Sequence, residues 1–184
     1  MNTKIFDEFP ILETERIIIR QMLKTDVDVV YNFNSCQNSL EYIIREPFKT
    51  IDEAKDKLSF FLSGIENKSA FWWVFTLKET GEDIGYGGLF DISTEHNRAE
   101  IGYGLIKKYW SKGYMSEIID AIVKFGITTA ELHKIYGVVI SGNDASVKLL
   151  EKNNFKKEAH LKEHSFINGN YKDETIYSLI INQQ

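Results

Sequence analysis

Glu100-Ile-Gly-Tyr-Gly-Leu-Ile-Lys-Lys-Tyr-Trp-Ser-Lys-Gly-Tyr-Met-Ser-Glu117 is the stretch on which the reading of this chain turns. A strand ends at about Ile106, a short polar turn follows, and a helix opens near Ser116. Ser111, Lys112 and Gly113 lie in the turn, immediately before the helix. Free amides and the positive end of a helix dipole make such a junction a ready phosphate site. Gly113 lets the backbone approach an anion closely, and Lys112 adds a point charge. The same residues also serve plain turn geometry, and on spacing alone both readings stay open.

Rival phosphate motifs fail. Gly102-Tyr-Gly104 is followed at the third place by Lys107 rather than glycine, so the dinucleotide fingerprint is broken. Lys112-Gly113 has the wrong order for a Walker-type Gly-Lys-Ser/Thr. Gly85-Tyr-Gly87-Gly88 lies inside a predicted strand, where close packing or a bulge explains it. The four histidines form no metal-ligand pair, so no metal is expected.

Working outward, Arg16 to Leu23 reads as a strand, and Thr25 and Asp26 offer N-caps for a short helix to about Asn34. Thr50 and Glu53 form a capping box that opens a helix to about Glu66, with Ala54, Leu58, Phe61, Leu62 and Ile65 on one face. Phe71–Leu77 and Ile84–Ile92 read as strands joined by a turn, and a second hairpin through Thr94 to Asn97 leads into Ala99–Ile106. A helix follows over Ser116–Glu131, with Ile118, Ile122 and Phe125 on one side. Lys134–Ile140 reads as a fully buried strand and Asn143–Lys152 as a short helix. Phe155–Ile167 and Tyr171–Ile181 form a last hairpin around Asn168-Gly169-Asn170. The order β-α-α-β-β-β-α-β-α-β-β implies an α/β (α+β) chain with one mixed, mostly antiparallel sheet and helices on both faces.

Composition narrows the function. With 184 residues, 43% hydrophobic and 27% charged, the chain suits one domain (core 12–181) burying about 70% of its extended surface. A net charge of −5 argues against nonspecific nucleic-acid binding and suits a cationic partner, although it is also ordinary solubility charge. Cys36 is the one cysteine and reads as an idle thiol in a reducing compartment. Met1–Glu15 lacks the apolar run of a signal peptide, and no stretch approaches the roughly 20 apolar residues of a membrane helix. A cytoplasmic protein with no membrane partner is expected, as monomer or homodimer.

Leu12-Glu-Thr-Glu-Arg16-Ile-Ile-Ile-Arg20, Ala99-Glu-Ile-Gly-Tyr103, Tyr109-Trp-Ser-Lys-Gly-Tyr-Met-Ser-Glu117 and Asn143-Asp-Ala-Ser146…Glu151-Lys-Asn-Asn-Phe155 follow one another in the order and spacing of the GNAT acetyltransferases. The chain most resembles the ribosomal-protein N-terminal acetyltransferase branch, of RimJ/RimL type; Gly169-Asn-Tyr-Lys-Asp173…Tyr177-Ser-Leu179 matches that branch as well. The resemblance implies the GNAT fold and acetyl-CoA as cosubstrate, with no metal. It places cofactor contacts on Leu105, Ile106, Lys107, Ser111, Lys112, Gly113, Tyr114, Met115, Ser116, Asn143, Ser146 and Lys152. In the loop pattern R/Q-x-x-G-x-G/A, Gly113 matches the central glycine, while Trp110 and Met115 depart from the pattern. The strand from Glu100 to Ile106 is expected to bulge and to splay from Lys134–Ile140, leaving a gap for the pantetheine arm.

The implied reaction is attack of a primary amine on the thioester, which needs a neutral nucleophile and a proton for the leaving thiolate. At pH 7 an α-amine costs roughly 1.4 kcal/mol to deprotonate and a lysine roughly 4.6 kcal/mol. Glu100 is the leading base candidate, with a supporting carboxylate role as the alternative. The branch's glutamate on the penultimate strand falls here on Ser165. The tyrosine that many relatives use as acid falls on Leu150, so Ser146 is the donor the branch suggests, with a helix-cap role as its alternative, and Tyr177 is a further candidate, with a core role as its alternative. Tyr42, Trp72 and Trp73 are candidate acceptor contacts, with Glu41 and Glu46 in the same loop as Tyr42; strand alternation also sends half of the rings of Phe71-Trp72-Trp73-Phe75 into the core. The acceptor is a peptide N-terminus, a polyamine or another small amine; a catalytically silent acyl-CoA-binding module is the alternative from a different class.

Overall fold

The computed structural model describes residues 1–167 and 169–181. Strand alternation and helical period decide which side chains meet. The strands are β1 (Leu12–Glu13), β2 (Ile17–Gln21), β3 (Phe71–Leu77), β4 (Asp83–Ser93), β5 (Arg98–Leu105), β6 (Lys134–Ile140), β7 (Lys156–Ile167) and β8 (Asn170–Ile180). The helices are α1 (Val27–Asn34), α2 (Ile51–Glu66), α3 (Tyr114–Thr128) and α4 (Asp144–Lys152), and short 3-10 turns cover Thr3–Phe6, Gln37–Leu40 and Lys107–Tyr109. This is the GNAT fold: one mixed sheet in the order β1-β2-β3-β4-β5-β6-β8-β7, antiparallel except where β5 meets β6.

Each face of the sheet has its own core. On one, Ile17, Ile19, Phe71, Trp73, Phe75, Leu89, Ile101 and Leu105 pack against Ile118, Ile119 and Ile122 of α3 and Leu150 of α4. On the other, Met22, Trp72, Val74 and Tyr86 pack against Val30 and Phe33 of α1 and Leu58 and Phe61 of α2. The Glu53 carboxylate accepts from the Thr50 N–H at 2.8 Å, so the capping box forms as its spacing requires.

Several boundaries differ from the sequence reading. α3 begins at Tyr114, because Gly113 at φ +81° ends the turn in a left-handed conformation. Asp26 precedes α1 without capping it, since its carboxylate takes two Arg20 N–H groups at 2.9 Å and the Leu23 N–H at 2.7 Å. Strand β6 is not fully buried: Val138 is 37% exposed, because β5 has turned away from it by that point. β1 is an added two-residue edge strand, and Asn168 of the predicted final turn lies outside the described residues.

Candidate active site

The site originates in a pairing that stops. β5 and β6 are bonded only over Arg98↔Lys134, Ala99↔Ile135 and Glu100↔Tyr136, whereas β6 stays paired with β8 from Lys134↔Ile180 to Ile140↔Glu174. Beyond Glu100 the two strands part, and a cleft of about 820 Å³ opens between them. The expected bulge does not lie in β5. Residues 100–105 pair one for one with β4, from Phe90↔Glu100 to Leu105↔Gly85, and the extra residue is in β4 at Asp91, whose φ is +49°.

At the open end of β5 the chain turns into α3. Ser111 (φ +61°) and Gly113 (φ +81°) are both left-handed, which turns successive amides toward one side. Among the described residues, the N–H groups of Ser111 to Met115 donate to no protein acceptor; the first bonded amide is that of Ser116, to the Gly113 carbonyl at 3.1 Å. Arg16 braces the turn: its Nη1 donates to the Lys112 carbonyl at 3.1 Å, its Nε to Glu117 at 2.5 Å, and its guanidinium covers the Tyr114 ring at 4.6 Å. A Cβ built on Gly113 would meet Arg16 Nη2 at 3.2 Å, so glycine leaves the cradle open. Free amides, the helix N-terminus and a flanking guanidinium fit a diphosphate.

Leu105, Ser111, Gly113, Tyr114, Met115, Ser116, Asn143, Ser146 and Lys152 line the cleft. Ile106, Lys107 and Lys112 do not, and their side chains have other partners, although the free Lys112 amide belongs to the turn's cradle. Ile106 bonds the β4 carbonyl of Ile84 at 2.9 Å, Lys107 stacks on Trp110 at 3.7 Å, and Lys112 leans over Tyr109 at 5.5 Å. Trp110, which stands where the family pattern has Arg or Gln, remains a donor: its indole N–H caps the Leu105 carbonyl at 2.7 Å. Lys152 Nζ reaches Ser116 Oγ at 2.5 Å and Asp120 at 3.2 Å, tying α4 to the start of α3.

Glu100 stands where the gap begins. Burial, then the nearby Asp91 carboxylate, pushes its carboxyl from 4.5 up to about 7; Glu174 adds to the rise and a hydrogen bond from Tyr136 opposes it. Tyr136 in turn donates to Asp91 at 2.9 Å. Ser165 does not line the cleft; its buried hydroxyl donates to the buried Glu174 of β8.

The opposite face supplies hydroxyls. Asn143 caps α4 by accepting the Ser146 N–H at 3.2 Å, so the cap is Asn143, and the Ser146 hydroxyl is left to the cleft. Tyr103, which the sequence reading placed in a motif without a role, also lines the cleft. Among the described residues its buried Oη has no partner in good hydrogen-bond geometry; burial lifts its pKa to about 12, and a weaker hydrogen-bonding interaction with Ser146 opposes the rise. Alternation sets Tyr103 on the same face as the buried Ile101 and Leu105, and the missing partner sets it apart. Leu150 lines the cleft as an apolar wall, while Tyr177 is buried in the core and absent from the lining.

On the α1/α2 side, Tyr42 and Trp72 line the cleft, Trp72 stacked on Phe90 at 5.0 Å. Trp73 does not, and its reading as an acceptor contact is corrected. Alternation turns it to the other face, where it is 0% exposed, packs on Phe71 and Phe125, and donates to the Pro10 carbonyl at 2.8 Å. Glu41 reaches Lys107 at 3.3 Å instead of the cleft. Phe33, Arg45, Lys57 and Phe90 complete this wall, and none of them carried a motif signal.

A family model described as an acetyltransferase (GNAT) domain matches residues 16–156. The chain is 34% identical to the uncharacterized N-acetyltransferase YoaA of Bacillus subtilis, over 94% of this chain and 97% of that one. It is similar to the spermidine N-acetyltransferase of Vibrio cholerae, solved with CoA and spermine, at 26% identity and a TM-score of 0.81 over 91% of this chain and 96% of that one. In fold it is also like the ribosomal-protein-S5-alanine acetyltransferase of Vibrio fischeri, at 23% identity and a TM-score of 0.82 over 93% and 96% of the two chains. With a braced amide turn, a split sheet and this likeness over nearly its whole length, the chain belongs to the GNAT family of N-acetyltransferases.

Proposed function

We propose that this N-acetyltransferase transfers the acetyl group of acetyl-CoA to a protein N-terminal α-amine, by direct attack in a ternary complex. The observation that carries the reading is the division of labour across the gap. Glu100, with a carboxyl titrating near 7, sits on the α1/α2 face, while Ser146 and the unpartnered Tyr103 hydroxyl lie on the α3/α4 face. A thioester held between β5 and β6 then meets a base on one side and proton donors on the other.

Acetyl-CoA supplies the activated acyl group, and the free amides of Ser111 to Met115 would hold its diphosphate. A base near 7 is well matched to an α-amine of pKa about 8 and poorly matched to a lysine near 10.4. Glu100 takes the ammonium proton, and Ser146 with Tyr103 protonates the departing sulfur. The test is release of free CoA with peptides bearing Ala, Ser or Thr N-termini, spermidine and aminoglycosides. Peptide turnover supports the reading, and turnover confined to spermidine or aminoglycosides refutes the α-amine assignment.

A further inference from the structure

At one end of the cleft three hydrogen-bond donors, Arg45, Lys57 and Tyr86, line one wall. Asn34, 1% exposed, accepts from Arg45 Nη1 at 2.8 Å and donates to the Val30 carbonyl and to Tyr86 Oη, both at 2.7 Å. These three bonds fix the amide's orientation, because a flip would set an NH₂ against a guanidinium. Tyr86 Oη therefore accepts from within and has its own O–H left to donate outward. Beside it stand Arg45, its guanidinium over Phe48 at 4.4 Å, and Lys57, its ammonium 4.8 Å from the Phe60 and Phe61 rings. Both cations are half-buried and line the cleft, and among the described residues no carboxylate pairs with either. Lys107, Lys108 and Lys134 each have an acidic partner, in a chain of 27 acids and 22 bases. Two like charges facing one cavity without a counter-ion point to an anion that arrives with a ligand.

We propose that Arg45, Lys57 and Tyr86 form a subsite for a carboxylate of the acceptor, making the acceptor a peptide with an acidic residue shortly after its N-terminus. The inference rests on the acetyl-transfer reading and names the substrate class of the same site. Register gives the spacing. Tyr86 and Phe90 lie four residues apart on one face of β4, and Phe90 pairs with Glu100, so the subsite is about 13 Å along the sheet from the base. An extended peptide covers that distance in three to four residues, which puts the acid at the third or fourth position. Burial and the Arg45 charge both push the Lys57 pKa down, as expected for an ammonium that lacks its partner. A polyamine would bring further positive charge to this end.

The experiment titrates three tetrapeptide amides, Ser-Ala-Asp-Asp, Ser-Ala-Asn-Asn and Ser-Ala-Lys-Lys, and spermidine, into the CoA-saturated full-length chain by calorimetry, with CoA release followed separately. The acidic peptide is expected to bind at least tenfold tighter than the neutral one, and the basic one weakest. Lys57→Gln should cut that preference to about threefold with unchanged CoA affinity, and Lys57→Glu should reverse the order of the acidic and basic peptides. Equal affinities, tighter binding of spermidine, or a loss of CoA affinity in Lys57→Gln would each overturn the proposal, the last by assigning the cations to the cofactor's phosphates. Preferential binding of the acidic peptide without CoA release supports the subsite and sinks the transfer reading instead.

Discussion

Replacing Glu100 with glutamine keeps the shape of the side chain and removes its titration, and two independent measurements then read the same carboxyl. The first is catalytic. A base at about 7 gives kcat/KM a rising limb centred there, because the carboxylate form takes the proton. Glu100→Gln should lower kcat/KM by about 100-fold at pH 7.5 and move the limb toward the pKa of the amine, near 8. The second is stability. The folded carboxyl lies above its ordinary 4.5, so its favourable contribution is complete below about 4.5 and is lost as pH rises through about 7. A shift of that size corresponds to at most roughly 3 kcal/mol, and solvent in the cleft discounts it to about 1–2 kcal/mol. Glu100→Gln should therefore melt about 3–6 °C above the parent at pH 8 and level with it at pH 4.5, by calorimetry. A retained limb near 7 would dismiss Glu100 as the base. A melting difference independent of pH would show that its carboxyl is unperturbed.

The turn and the donors give further outcomes. CoA at about 100 times its Kd should stabilise the parent by roughly 2.7 kcal/mol, and Gly113→Val, forced to φ +81° beside Arg16, should lose most of that shift; an equal shift in both would make the turn merely structural. Tyr103→Phe removes a buried hydroxyl that has no partner, so it should leave the melting temperature level or raise it while lowering kcat about tenfold or more. Ser146→Ala should lower kcat by a similar factor with the KM for acetyl-CoA within about threefold; full kcat in both variants would remove the hydroxyl pair from the mechanism. Trp73→Ala should cost about 3–5 kcal/mol of stability in urea unfolding, and a loss below about 1 kcal/mol would contradict its place in the core.

The elements that write their own signals were legible in the sequence. Period-2 aromatic and β-branched runs specify β3 to β5, and the Thr50–Glu53 box starts α2 at its observed residue. The turn at Ser111–Gly113 was legible for a similar reason, since a glycine ahead of a helical period leaves few conformations. What was not legible depends on which face a strand presents. Trp72 and Trp73 are equivalent as composition, yet one step of alternation sends the first to the cleft and the second to the core. Arg45 and Lys57 lie in a loop and on a helix far from any motif, and only the packing of α1 and α2 over the sheet brings them together. The hydrogen bond from Ser165 to Glu174 joins residues nine apart across a hairpin, a contact that linear spacing does not reveal.

One geometric fact accounts for both halves of the site. β6 keeps its far edge bonded to β8 along its length while its near edge leaves β5 after Glu100. Unpaired backbone groups in a half-buried cleft are costly unless a ligand or water meets them, so the open edge of β5 favours an extended molecule carrying amides of its own. Glu100 is the last paired residue before the strands part, and its side chain is therefore anchored by sheet bonds while its carboxyl faces the gap. That position explains how a carboxyl is held near neutrality without mobility: a rigid strand fixes it, Asp91 in the β4 bulge repels its charge, and burial withholds solvent. Closing the gap by even two further β5–β6 pairs would fill the space proposed for the pantetheine arm and seal Glu100 away from an incoming amine, so both proposed roles depend on the same break in the ladder.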